Sequence, residues 1–216
     1  KIRPTALVTG AFRLRAKACR TSSSSSPGSS GIHSRPMVQH IPAAERPDAV
    51  VLKLDPGLAF GTGSHATTAL CLEWLDSADL AHKTVVDYGC GSGILAIAAV
   101  LLGAASAVAV DHDPQALLAT RDNAAANGVA SRIAVAASRD AVAQPADIVL
   151  ANILATTLVS LAGTLTCLAR PGGQLVLSGI LEDQAGAVAE AYRPDVIFSP
   201  PLKLDSWVLL TGTRGK

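Results

Sequence analysis

From Ala49 onward the apolar and polar positions follow a repeating order: a short run of apolar residues, a break containing Gly, Asp or Pro, then a longer stretch with apolar positions every three or four residues. The short runs predict strands at 50–54, 84–88, 106–111, 132–136, 146–151 and 173–178. The longer stretches predict helices at 67–75, 93–102, 114–127, 155–168 and 181–192. Pro114 at a first helical position and Gly128 just past a last one mark the ends of the helix between them. Strands alternating with helices build a parallel sheet covered on both faces, with right-handed crossovers. The alternation stops near the end, where runs at 195–198 and 207–212 predict an antiparallel edge hairpin around Pro200-Pro201. The predicted fold class is therefore α/β, a doubly wound, mainly parallel, seven-stranded Rossmann-like sheet. Phe198-Ser199-Pro200-Pro201 reads as the bend of that hairpin, with a substrate rim as the alternative.

Residues 1–48 break the pattern. Ser22 to Ser26 is an uninterrupted serine run, Pro27-Gly28-Ser29-Ser30-Gly31 extends it, and neither hydrophobic period persists. Disorder is the expectation for this segment, and a catalytic domain is expected over 49–216. An Arg-rich, Ser-rich, acid-poor composition also describes an organellar transit peptide.

Composition narrows the class. At 216 residues, 49% hydrophobic and 16% charged, the chain reads as one soluble globular α/β domain. Its apolar runs fall short of the roughly 20 residues a membrane span needs. Cys19, Cys71, Cys90 and Cys167 have no C-x-x-C spacing, so no metal site is expected and reduced thiols in a cytoplasm are. The first 44 residues hold seven Lys or Arg and no Asp or Glu, which leaves eleven basic against seventeen acidic residues in the remainder. A net-acidic body lacks the basic stripe that grips phosphate backbones and suits a basic protein substrate better.

The chemistry concentrates in Thr84-Val85-Val86-Asp87-Tyr88-Gly89-Cys90-Gly91-Ser92-Gly93. A strand here ends in an acid and opens into alternating glycines, which let a backbone approach a ligand ahead of a helix N-terminus. The dinucleotide fingerprint G-x-G-x-x-G needs a glycine where this chain has Ile94. Asp87 would repel a pyrophosphate but could accept hydrogen bonds from an amino acid's ammonium group. S-adenosylmethionine combines an amino-acid end with an adenosine and carries no phosphate, so it is the expected cofactor. Asp111 follows Gly93 by eighteen positions, at the end of the next strand, where an acid accepts hydrogen bonds from ribose hydroxyls. Asp113 reads as a helix N-cap before Pro114 rather than as a ligand. Asn152 ends the strand expected beside the first one, so its amide faces the reactive end of the cofactor, with a helix cap as the plainer alternative.

Further residues carry a resemblance. Leu54-Asp55-Pro56-Gly57-Leu58-Ala59-Phe60-Gly61-Thr62-Gly63-Ser64-His65-Ala66-Thr67-Thr68, then the glycine turn, then Asn152-Ile153-Leu154-Ala155 and Ser178-Gly179-Ile180-Leu181 resemble the ribosomal protein L-eleven methyltransferase (PrmA) family from about Ala49 to the C-terminus. The resemblance implies a class I S-adenosylmethionine-dependent methyltransferase sheet and methylation of lysine ε-amines and the N-terminal α-amine of that large-subunit ribosomal protein. It implies donor contacts at Thr68, Gly89, Asp111 and Asn152, with Asp87, Gly91, Phe60 and Gly61 completing the expected cofactor site, Asn152 as the catalytic residue, and the loop at 60–65 closing over the donor. His65 is either a base or a hydrogen-bonding scaffold residue. The family carries an N-terminal recognition domain and a linker, and residues 1–48 resemble neither, so that domain is expected to be absent or replaced. Three alternatives stand beside this reading: an adenine-amine methyltransferase, which usually follows its Asn with Pro-Pro and an aromatic where this chain has Ile153-Leu154; a small-molecule amine methyltransferase; and a donor-binding relic without activity.

Overall fold

The computed structural model describes residues 12–15, 49–54 and 65–216. The disorder expected over 1–48 and the loop expected at 60–65 therefore fall largely outside the described residues. Within the first segment the structure departs from expectation at one place. Strand β1 (Phe12–Arg15) pairs antiparallel with β2 (Ala49–Leu52), in register Phe12 to Leu52.

The remaining elements follow as helix α1 (Ala66–Ser77), β3 (Thr84–Tyr88), α2 (Ile94–Leu101), β4 (Ser106–Val110), α3 (Pro114–Ala126), β5 (Ile133–Ala136), β6 (Ala146–Asn152), α4 (Ala155–Ser160), α5 (Ala162–Leu168), β7 (Ala169–Leu181), α6 (Ala185–Tyr192), β8 (Val196–Phe198), β9 (Leu202–Leu204) and β10 (Trp207–Arg214). The main sheet has the order β5-β4-β3-β6-β7-β10-β8, with β9 paired to β10 beside that path. β5, β4, β3, β6 and β7 are parallel neighbours, and β10 enters antiparallel between β7 and β8. The strand order reverses beside β3, so the carboxyl ends of β3, β4 and β6 open one crevice, the place where such sheets bind ligands.

Adjacent residues on the central strands face opposite layers. Leu150 and Val176 pack with Leu70, Leu75 and Ile97 on one face, while Val149, Leu175 and Leu177 pack with Leu158, Leu165 and Tyr192 on the other. Each such side chain, fully buried, contributes roughly 1.5–3 kcal/mol. α2 reads Ile-Leu-Ala-Ile-Ala-Ala-Val-Leu, apolar on every side, and is buried from Ile94 through Val100. A helix apolar on every side needs such burial on every side. The backbone of Lys53 is clamped to the C-terminus of α3, since its N–H donates to Asn127 Oδ1 at 2.8 Å and its carbonyl accepts from Asn127 Nδ2 at 2.6 Å.

Three details differ from the sequence reading. The helix expected over 155–168 is two helices that meet at Leu161, where the Ser160 hydroxyl and the Leu161 N–H both donate to the Thr157 carbonyl, at 2.9 and 3.0 Å. The helix expected from 181 opens with a 3₁₀ turn over Glu182–Gln184. The terminal hairpin contains the extra strand β9, because a turn at Asp205, with φ of 53°, lets residues 202–204 return along β10.

Candidate functional site

The glycine turn is shaped by its glycines. Gly89, Gly91 and Gly93 all take positive φ, at 75°, 53° and 78°, a region closed to most side chains. The Gly89 and Cys90 N–H groups donate to the Val110 carbonyl, and the Gly91 N–H donates to Asp111 Oδ2 at 3.0 Å. The turn after β3 is thereby tied to the end of β4. Asp111 also accepts from the Asp113 N–H at 3.0 Å, and His112 Nδ1 lies 3.5 Å from its Oδ1. A carboxylate accepts about four hydrogen bonds. The two backbone donors leave capacity for the hydroxyls of a ribose, so the donor set at this strand end fits a nucleoside. Asp113 caps α3 by accepting from the Gln115 N–H at 2.9 Å, as the sequence indicates.

Asp87 lies beneath the glycine turn. Its side chain is 1% exposed, and its Oδ2 accepts from the Ala96 N–H at 3.0 Å. The N-cap of α2 is Gly93, which has no side chain to satisfy the first helical N–H groups. Asp87 reaches up from β3 and does so instead. Burial pushes its carboxyl up to about 7, against the pull of the Ala96 N–H and with a further push from the charge of Asp111.

On the other side of the crevice, Asn152 is the last residue of β6 and its Nδ2 donates to Thr68 Oγ1 at 3.2 Å. Two expected site residues, 84 positions apart, thus meet. Asn152 is no helix cap, since α4 begins after Leu154. Ser178, opposite Asn152 on β7, donates its hydroxyl to the Thr67 carbonyl at 3.0 Å and holds the first turn of α1 against the sheet. Ile153 is wedged between two glycines: a Cβ on Gly89 would lie 2.4 Å from its Cγ2, and one on Gly179 would lie 2.2 Å from its carbonyl oxygen. His65 takes the scaffold role. It caps α1, with Nδ1 2.9 Å from Thr67 Oγ1, and its ring meets Trp207 edge-on at 4.8 Å. Phe60 and Gly61 lie outside the described residues. Burial pushes the thiols of Cys71 and Cys90 up to about 12, which keeps both neutral and out of nucleophilic chemistry. Among the described residues no group of His, Cys, Asp or Glu has the arrangement of a metal site, and no helix is long and apolar enough to cross a membrane.

The sequence reading missed Ser178, Thr120 and Asn123. Their signal was polarity at positions the periodicity assigns to buried faces.

The family model described as ribosomal protein L11 methyltransferase (PrmA) matches residues 31–215. The chain belongs to the PrmA family. The match starts within the segment that the sequence reading set apart from the domain. The ribosomal protein L11 methyltransferase of Azotobacter vinelandii is 58% identical over 172 residues, covering 79% of this chain and 59% of that protein. The relative from Vibrio cholerae is 56% identical over 172 residues, covering 78% and 57%. The chain therefore spans somewhat under two thirds of the length of these PrmA relatives. Among solved structures, the ribosomal protein L11 methylase of Lactobacillus delbrueckii subsp. bulgaricus superposes with a TM-score of 0.72 at 35% identity, covering 78% of this chain and 88% of that one. An RNA methyltransferase from Salinibacter ruber, in complex with S-adenosyl-L-homocysteine, shares the fold at 20% identity with a TM-score of 0.56. The PrmA sheet seen here is the class I methyltransferase sheet, with its last strand inserted antiparallel next to the edge.

Proposed function

We propose that this chain is the catalytic domain of an S-adenosylmethionine-dependent N-methyltransferase whose substrate is the large-subunit ribosomal protein L11, at lysine ε-amines and the N-terminal α-amine. The observation that carries the reading is the crevice at the β3, β4 and β6 ends, with Asp111 on one side and the Asn152–Thr68 pair on the other. The L11 methyltransferase names of the 56–58% identical relatives supply the substrate. Once bound, the donor would supply an electrophilic methyl group on a sulfonium. The protein's own task is to bind, align and desolvate. Asp111 would take the ribose hydroxyls, the glycine turn would receive the nucleoside against its backbone, and Asp87 would hold that turn to the N-terminus of α2 from below. Gly89 and Gly91 stay side-chain-free where the nucleoside approaches.

The acceptor amine has to be neutral to react. For a lysine of ordinary pKa that costs about 4.6 kcal/mol at pH 7, which a water-poor pocket reduces by disfavouring the ammonium form. Asn152 then positions the amine: with Nδ2 committed to Thr68, its Oδ1 is the atom left to accept from the incoming nitrogen. We place the reaction in the cytoplasm, where the thiols of Cys71, Cys90 and Cys167 stay reduced.

Tritiated donor mixed with this chain and ribosomal proteins lacking methylation should label one band at the mass of L11. Labelling of RNA, or of no protein at all, refutes the substrate assignment. For Asp111→Ala the donor's dissociation constant should rise by roughly 10- to 100-fold in calorimetry, the loss of charge-assisted hydrogen bonds to two hydroxyls. An unchanged constant removes Asp111 from the site.

A further inference from the structure

Eight polar or charged side chains are buried among the described residues, and four of them, Asp87, Ser92, Thr120 and Asn123, gather at the glycine turn. Thr120 and Asn123 stand three residues apart on α3, hence on one face of that helix. The Thr120 hydroxyl, fully buried, donates to the Gly91 carbonyl at 3.0 Å and lies 3.4 Å from Cys90 Sγ. Asn123, 2% exposed, donates from Nδ2 to the Ser92 carbonyl at 2.9 Å. Two consecutive carbonyls of the turn are thus drawn toward α3. A trans peptide points its N–H opposite to its carbonyl, so a turn held in this way directs the Gly91–Ser92 N–H away from α3. Contact is also tight. A Cβ at Gly93 would lie 2.7 Å from Thr120 Cγ2 and 2.9 Å from its hydroxyl, which ties the positive φ of Gly93 to the side chain beneath it.

We propose that Thr120 and Asn123 are positioning residues for the donor: α3 fixes the lower side of the turn while Asp111 fixes its outer end, and together they set the backbone shape that the nucleoside meets. The inference rests on the donor reading above. Neither residue touches the ligand; both act through the carbonyls of Gly91 and Ser92. A role confined to folding would show as lost stability alone, so the test reads binding and local exchange beside melting temperature.

Thr120→Val keeps the shape of the side chain and removes the hydroxyl, Thr120→Ser keeps the hydroxyl, and Asn123→Ser is too short to reach the Ser92 carbonyl. Val196→Ala, at the buried position of edge strand β8, lowers stability far from the turn and serves as the control. The probe is S-adenosylhomocysteine, titrated by calorimetry, with hydrogen exchange at the amides of residues 89–93 measured on the ligand-free chain. Thr120→Val and Asn123→Ser are expected to weaken binding by about tenfold and to speed exchange at the turn, with Thr120→Ser within about threefold of the native chain, because the cost is that of an unsatisfied buried carbonyl. The control should melt earlier and bind normally. Native-like binding by both Thr120→Val and Asn123→Ser overturns the inference and leaves the donor reading in place, as does an equal loss in Val196→Ala. A native chain that binds no S-adenosylhomocysteine overturns the donor reading and the inference together.

Discussion

Asn152→Ala is expected to lower methylation turnover by on the order of 10²-fold while changing the donor's dissociation constant by no more than about threefold. The split follows from where Asn152 sits. It ends β6, beside β3, and its amide bridges to Thr68 rather than to the glycine turn or Asp111, which are assigned to the nucleoside. On the proposed assignment, removing it takes away the atom that would align the acceptor nitrogen and leaves Asp111 and the glycine turn, the proposed nucleoside contacts, in place. Thr68→Val then works as a companion: it removes the hydroxyl that accepts from Nδ2, frees the amide to rotate, and should give a smaller loss in the same direction. Single-turnover methylation with saturating donor measures both. Turnover equal to that of the native chain would take Asn152 out of the reaction.

A second large effect concerns acidity. Asp87 is buried with its carboxyl held up near 7, so between about pH 4 and 7 the folded chain keeps a proton that the unfolded chain has released. Stability of the ligand-free chain therefore contains a contribution that is full below the ordinary aspartate pKa and is lost as pH rises to about 7, on the order of 2–4 kcal/mol for this group. Asp87→Asn keeps an oxygen for the Ala96 N–H and carries no charge. The variant's melting temperature should stay level where the native chain's falls between pH 5 and 8, and the variant should be the more stable of the two at pH 8. A native profile that rises over that range, or parallel profiles for the two chains, would show that burial of Asp87 does not govern its titration.

The sheet was legible in the sequence because each parallel strand is a short apolar run with a break on either side, and the alternation with helices implies a parallel sheet covered on both faces. Asp111, Asn152 and the glycine turn were legible for the same reason: each stands at the carboxyl end of a strand, where the fold puts ligands. What stayed hidden depends on contacts between distant segments. Nothing local to Asp87 says that Gly93 leaves α2 without a capping side chain and that the acid nine positions before Ala96 fills the gap. The Asn152–Thr68 bridge joins a strand end to a helix turn 84 residues earlier, and although Thr120 and Asn123 fall on the buried face of α3, which carbonyls they meet depends on how α3 packs beneath the turn. The break at Leu161 stayed hidden because apolar spacing continues straight through it.

The central claim is that one nucleoside spans the crevice from Asp111 to Asn152, and a crystal of this chain soaked with S-adenosylhomocysteine tests it most directly. The account predicts ribose hydroxyls within hydrogen-bonding distance of the Asp111 carboxylate, the adenosine against residues 89–93, and the sulfur on the Asn152 side. A nucleoside bound elsewhere, or one in the crevice with its ribose turned away from Asp111, would contradict it.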